Sequence, residues 1–176
     1  QDLEVALVSD VSGSMDDAIG DLKTAATGFV DALASPDEAA AVSFASDASL
    51  DQELTTDYQA VKDAIDAYTT GGSTNMEDGI DTARDELLNG TNATASANKV
   101  MVVLSDGVPD SQSAANTAAT AAKDAGIRLF SIALGDGADE AFMEGVASSP
   151  DDAYVAPTAA DLQSIYDQIA TEVITG

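Results

Sequence analysis

The feature that most constrains this chain is a repeated alternation between short apolar runs and longer amphipathic stretches. Leu3, Val5, Ala6, Leu7 and Val8 make residues 3–8 an almost unbroken apolar run, the pattern of a strand buried on both faces of a parallel sheet. Ala18, Ile19, Leu22, Ala25, Ala26, Phe29, Val30 and Leu33 then recur at three- and four-residue spacing and stop before Ser35-Pro36, which predicts a helix with one apolar stripe. Strand-like runs at residues 39–45, 99–105 and 127–134 alternate with helical patterns at 57–68, 75–88 and 111–125. Weaker strand-like segments lie at 48–54 and 152–156, and a last helix carries Leu162, Ile165, Tyr166, Ile169 and Val173. Such alternation predicts an α/β fold: a doubly wound, mostly parallel central sheet with right-handed crossovers and helices on both faces. A length of 176 residues, 45% of them hydrophobic, suits one buried core, so residues 1–176 are expected to form one domain. Gln1 stands close to the first apolar run and the last helical pattern reaches Gly176, which suggests a domain excised from a longer protein. The stretch Asn89 to Ser96 is expected to be a surface loop.

Charge narrows the partners. Six basic residues oppose 32 acidic ones, a formal net charge of −26, and no basic stripe is available to neutralise phosphates. Nucleic acid and anionic membranes are therefore excluded as partners, and no apolar run is long enough for direct membrane insertion by this segment. The carboxylates are scattered along the chain rather than gathered in a tail, and only four lysines occur. This balance is similar to that of proteins from salt-loving archaea, where about 1 M salt shortens the Debye length to roughly 3 Å and screens self-repulsion. An acidic calcium store is disfavoured, because no D-x-[DN]-x-[DN]-G loop is present. Cysteine and histidine are both absent, so any metal must be held by oxygen and the usual general base is missing.

In open α/β sheets ligands bind beyond the carboxyl ends of the strands, where the strand order reverses. Directly after the first strand comes Asp10-Val11-Ser12-Gly13-Ser14-Met15, one carboxylate and two hydroxyls at alternate positions in a turn. After the central run Val100 to Leu104 comes Ser105-Asp106-Gly107, and Gly71-Gly72-Ser73-Thr74-Asn75 opens the helix at 75–88 with a hydroxyl on Thr74. Hard cations such as Mg²⁺ favour a few carboxylates, neutral oxygens and retained waters. Each residue alone has an ordinary reading: Asp10 or Ser12 as a helix cap, Asp106-Gly107 as a turn. Their joint order at the expected rim favours one divalent-metal site built from Asp10, Ser12, Ser14, Thr74 and Asp106.

D-x-S-x-S after the first strand, a Gly-Gly-Ser-Thr loop and S-D-G after a later strand together resemble the metal-ion-dependent adhesion site of von Willebrand factor type A domains, and the resemblance spans essentially the whole chain. It implies a Rossmann-like sheet, a metal held by Ser12, Ser14 and Thr74 with Asp10 and Asp106 binding directly or through water, and a coordination position completed by an Asp or Glu of a protein partner. Mg²⁺ is the first expectation, with Mn²⁺ or Ca²⁺ as alternatives. Asp16 and Asp17 lie about one residue early for the second ion of integrin β-type relatives, and acidic residues in a first helical turn are favoured anyway. Asp110, Glu77 and Asp78 are read as solvated charges, and Asp136 to Glu140 as a polar connection.

The expected role is a surface or secreted adhesion or assembly module rather than an enzyme, in a high-salt organism. Asn89-Gly90-Thr91 and Asn92-Ala93-Thr94 are acceptor sequons for N-glycosylation in keeping with that setting. An alternative is an intracellular subunit assisting a chelatase or ring-shaped ATPase complex. A metal-dependent phosphohydrolase is disfavoured, because Ser12 stands where such enzymes carry a second carboxylate and no lysine neutralises a transferring phosphoryl group. Ser12 and Ser14 also lack a histidine to activate them.

Overall fold

A computed structural model describes residues 2–175 of the protein. Six strands, β1 (Leu3–Asp10), β2 (Glu38–Phe44), β3 (Ala48–Thr55), β4 (Asn98–Ser105), β5 (Arg128–Leu134) and β6 (Ala153–Ala156), form one sheet in the order β3-β2-β1-β4-β5-β6. All neighbours run parallel except β2 and β3, which are antiparallel. The helices are α1 (Ile19–Asp31), α2 (Tyr58–Asp66), α3 (Met76–Asn89), α4 (Gln112–Asp124), α5 (Glu140–Val146) and α6 (Leu162–Thr175). The expected α/β architecture is therefore present.

The buried strands explain the near-continuous apolar runs. Residues of β1 alternate between the two faces: Leu3, Val5 and Leu7 join one apolar cluster, and Ala6 and Val8 join the other. The first cluster takes Leu22, Phe29 and Val30 of α1, Val61 and Ile65 of α2, and Leu162, Tyr166 and Ile169 of α6. The second takes Met76, Ile80 and Leu87 of α3, four alanines of α4, and Met143 and Val146 of α5. Each helix thus spends its apolar stripe on one side of the sheet.

From β1 the chain builds outward through β2 to β3, then crosses back and builds the other way from β4 to β6. The order reverses between β1 and β4, so a crevice opens where Asp10 and Ser105 end their strands. Two expectations are adjusted here. Residues 136–139 form the polar connection expected, ending in Asp139, which accepts a hydrogen bond from the backbone N–H of Phe142 and caps the seven-residue α5, but Glu140 already belongs to that helix. The segment Asn89 to Ser96 is largely the loop expected, but Asn89 itself closes α3.

Helix α3 starts with a cap that also fixes the preceding loop. The Asn75 side chain accepts from the Asp78 N–H at 3.2 Å and donates to the Ser46 carbonyl at 3.2 Å. Asn75→Ala is expected to cost about 1 kcal/mol, read as a melting temperature lower by about 2–4 °C.

Candidate metal centre

The turn after β1 is shaped by what it buries. Met15 is fully buried and plugs the core below a 3-10 turn at Gly13–Met15, so the residues on either side of it are drawn across the strand ends. Asp10 is itself fully buried, yet both its oxygens are used: Oδ1 accepts from the Ser12 N–H at 2.8 Å, and Oδ2 from the Ser105 hydroxyl at 2.8 Å. Ser12 Oγ lies 3.2 Å from Ser14 Oγ, and Ser14 donates to Asp106 Oδ1 at 2.8 Å. Four of the five candidate residues are thus linked across the β1 and β4 strand ends.

Thr74 arrives by a different route. Its loop is tied to the turn after β1 by Gly13 N–H to Gly72 carbonyl at 3.1 Å and by Gly71 N–H to Val11 carbonyl at 2.9 Å. Asn75 N–H donates to the Ala45 carbonyl at 2.7 Å beyond the end of β2. Gly72 has φ of +88°, and a Cβ there would fall 2.7 Å from Ser46 Oγ, so only glycine suits this bend. Asp110 clasps Thr74 from the other side: its Oδ1 accepts from the Thr74 N–H at 3.1 Å, and its own N–H donates to the Thr74 carbonyl at 2.8 Å. Among the described residues Thr74 is held at the rim by its backbone and makes no hydrogen bond to the other four.

Several residues depart from their sequence readings. Neither Asp10 nor Ser12 caps α1, whose N-cap is Ala18, and Ser12 makes no side-chain cap bond to the 3-10 turn. Asp110 is exposed, as expected of a solvated charge, and also clasps Thr74, while Asp78 is half-buried and accepts from the Ala48 N–H at 2.7 Å. Glu77 is exposed, as expected. Asp16 and Asp17 diverge, for Asp16 accepts from the Thr70 hydroxyl at 2.9 Å. Asp17 instead lines an open depression of about 350 Å³ with Ser14, Asp106 and Asp136. Ser105 was part of the S-D-G motif, but its grip on Asp10 was not legible there; a hydroxyl at the last position of a central strand, beside the motif aspartate, is the signal that could have pointed to it.

Burial raises the Asp10 carboxyl pKa, opposed by the hydrogen bonds from Ser12 and Ser105, while the neighbouring Asp106 charge raises it further. Among the described residues no group of three or more carboxylates is placed to hold a cation. The donor set is instead two carboxylates and three hydroxyls, all oxygen. This set fits a small hard divalent ion with a mixed shell of charged and neutral oxygens, and does not fit a soft metal that seeks sulfur or imidazole. A nearby cation would remove the electrostatic cost of ionising a buried Asp10 beside Asp106.

Fold and strand-end geometry together define a domain class, a doubly wound α/β sheet with an oxygen-rich crevice at its switch point. The von Willebrand factor type A domain model matches residues 4–168, and the chain belongs to that family. Among solved structures it is similar to the von Willebrand factor domain of the type V pili tip protein Mfa5 from Porphyromonas gingivalis (TM-score 0.88, 15% identity, 99% of this chain and 95% of that one). It is also similar to proximal thread matrix protein 1 of the mussel byssus in a structure with a zinc-occupied MIDAS motif (TM-score 0.84, 23% identity, 97% of this chain and 45% of that one). A third is the pilus adhesin SpaC from Lactobacillus rhamnosus GG (TM-score 0.84, 18% identity, 99% of this chain and 31% of that one). The chain spans less than half the length of the mussel protein's chain. No curated protein matches the sequence. These structural neighbours are matrix, pilus and adhesin proteins.

Proposed function

We propose that this domain is a divalent-cation-dependent protein-binding module, in which Asp10, Ser12, Ser14, Thr74 and Asp106 hold one ion and an Asp or Glu of a partner completes its coordination. The observation that carries the reading is the continuous hydrogen-bonded path from Ser105 through Asp10, Ser12 and Ser14 to Asp106. It gathers hard oxygen donors from two distant segments at the switch point of the sheet. When bound, the ion supplies a positive centre that attracts a carboxylate. The chain's own residues do the remaining work. Asp10, pinned at both oxygens, sets the depth of the site, and the Ser14 to Asp106 bond closes its mouth. The Asp110 clasp and the Gly72 bend hold the Thr74 loop over it.

The ion is Mg²⁺ in this reading, with Mn²⁺ or Ca²⁺ as substitutes of the same chemistry. The adhesin, pilus-tip and byssal neighbours favour a surface or secreted setting for assembly or adhesion over catalysis. The acidic surface fits a high-salt medium. The sequons fit the same setting, with Asn89 exposed at the end of α3, while the Asn92 amide donates to the Leu54 carbonyl at 2.7 Å. Among the described residues no helix is long and apolar enough to cross a membrane.

The test is capture of carboxylate-bearing partners from the extracellular fraction of the natural host, in molar NaCl, with Mg²⁺ or with excess chelator. Capture in Mg²⁺ and release by chelator is expected. A complex that persists fully in chelator would contradict the metal-bridged mode.

A further inference from the structure

The candidate ligands Thr74 and Asp106 stand on different loops, and Asp110 is the residue that joins those loops. Thr74 immediately precedes Asn75, the cap of α3, and Asp110 immediately precedes Ser111, whose side chain accepts from the Ala114 N–H and caps α4. Both helices bury their first turns in one cluster on one face of the sheet, through Met76 and Ile80 of α3 and Ala115 and Ala118 of α4. Between the two helix entries Asp110 makes a reciprocal pair: its carboxylate takes the Thr74 N–H, and its own N–H donates to the Thr74 carbonyl. That carbonyl also accepts from the Met76 N–H at 3.0 Å. Asp110 follows Asp106 by four residues, and Pro109 between them is buried. One short segment thus carries one candidate ligand and grips the backbone of another.

We infer that Asp110 is a positioning residue that sets the separation of Thr74 from Asp106, and so makes the centre selective for a small divalent ion over Ca²⁺. The inference rests on the metal reading above. Gly71 and Gly72 both have positive φ, and glycines carry wide backbone freedom, so the loop needs outside ties to keep one shape. Most of those ties reach the neighbours of Thr74: Gly72, Ser73 and Asn75 are bonded to Gly13, Ser46 and Ala45. At Thr74 itself, among the described residues, the N–H goes to Asp110 alone.

Ion size gives this grip its consequence. Mg²⁺ demands near-ideal octahedral geometry at about 2.0–2.1 Å, whereas Ca²⁺ accepts oxygens at about 2.3–2.6 Å in flexible arrangements. A hydroxyl on a loop free to drift therefore still serves Ca²⁺ and penalises Mg²⁺. Groups that orient a ligand without touching the ion are commonly worth about 10- to 100-fold in metal affinity. Asp110 does this by geometry rather than by charge, because it is exposed and a Debye length of roughly 3 Å in molar salt blunts its field. What the grip requires is an accepting oxygen, which an Asn side chain supplies as an Asp does.

The experiment titrates the melting temperature with Mg²⁺ and, separately, with Ca²⁺ in molar NaCl, and reads an apparent dissociation constant from each curve. It compares the unaltered protein with Asp110→Ala, Asp110→Asn and Asp106→Ala. Amide exchange at Thr74 is followed in chelator, where no ion contributes. Asp110→Ala is expected to bind Mg²⁺ about 10- to 100-fold more weakly and Ca²⁺ with a clearly smaller loss, while its melting temperature in chelator stays nearly unchanged. Asp110→Asn should keep most of the Mg²⁺ affinity, and Thr74 exchange should quicken in Asp110→Ala only. Unchanged Mg²⁺ affinity or unchanged Thr74 exchange in Asp110→Ala, equal losses for the two ions, or equal losses in the Ala and Asn variants would each overturn the inference and leave the metal reading standing. An ion response shared by Asp106→Ala, or none in the unaltered protein, would overturn the metal reading and this inference with it.

Discussion

Dialysis from molar NaCl into about 10 mM salt, where the Debye length grows from roughly 3 Å to roughly 30 Å, is expected to unfold this protein. A net charge of −26 smeared over a folded domain of about 20 Å radius repels itself by some 10 kcal/mol in molar salt and some 40 kcal/mol in dilute salt. The expanded chain feels far less of this, and the increase exceeds the roughly 5–15 kcal/mol that stabilises a typical domain. Proton uptake by crowded carboxylates reduces the penalty without reversing its sign. The basic residues cannot absorb it. Lys99 is paired with Glu4, Arg128 with Asp152 and Glu172, Lys62 with Asp31 and Arg84 with Asp81, while Lys123 donates to the Gly145 and Ala147 carbonyls. Far-ultraviolet circular dichroism through a salt titration reads the result. Loss of helical signal below about 0.1 M salt, restored when salt returns, is expected; a melting temperature independent of salt would refute the screening argument.

The second large effect concerns Asp106→Ala. An ion that binds only the folded state at about 100 times its dissociation constant adds about 2.7 kcal/mol, or roughly 5–10 °C in melting temperature for a chain of this length. The unaltered protein should gain this from Mg²⁺ over chelator in molar NaCl, and Asp106→Ala should gain none. In chelator the two should melt within a few degrees of each other, because the bond lost, Ser14 to Asp106, is exposed and such surface changes cost little. Molar NaCl separates site binding from screening. Equal ion responses in both proteins would place the ion elsewhere.

Much of the fold was legible because its strands are buried on both faces and its helices on one, which leaves a strong contrast in period between runs such as residues 3–8 and the stripe of α1. The antiparallel direction of β3 was not legible, since Ala48–Thr55 is an edge strand with mixed burial and its direction depends on the short turn after Phe44. Helix α5 escaped notice because seven residues carrying only Met143 and Val146 as buried anchors are too few to establish a period. At the candidate site, Asp10, Ser12, Ser14, Thr74 and Asp106 were legible as oxygen donors at strand ends and in a glycine loop. Their supports were not. Ser105, Asp110 and Ser46 act on neighbours far away in sequence, through contacts that only the folded backbone creates. In a chain this acidic, nothing in its composition marks the exposed Asp110 as the partner of Thr74.

The most direct measurement of the central claim is an anomalous difference map from crystals grown in molar NaCl and soaked in Mn²⁺, which replaces Mg²⁺ with an ion of similar oxygen chemistry and a usable X-ray signal. One dominant peak is expected in the crevice between Ser12, Ser14, Thr74 and Asp106, with Asp10 behind it. A dominant peak at another carboxylate cluster, or none at this crevice in a fully soaked crystal, would contradict it.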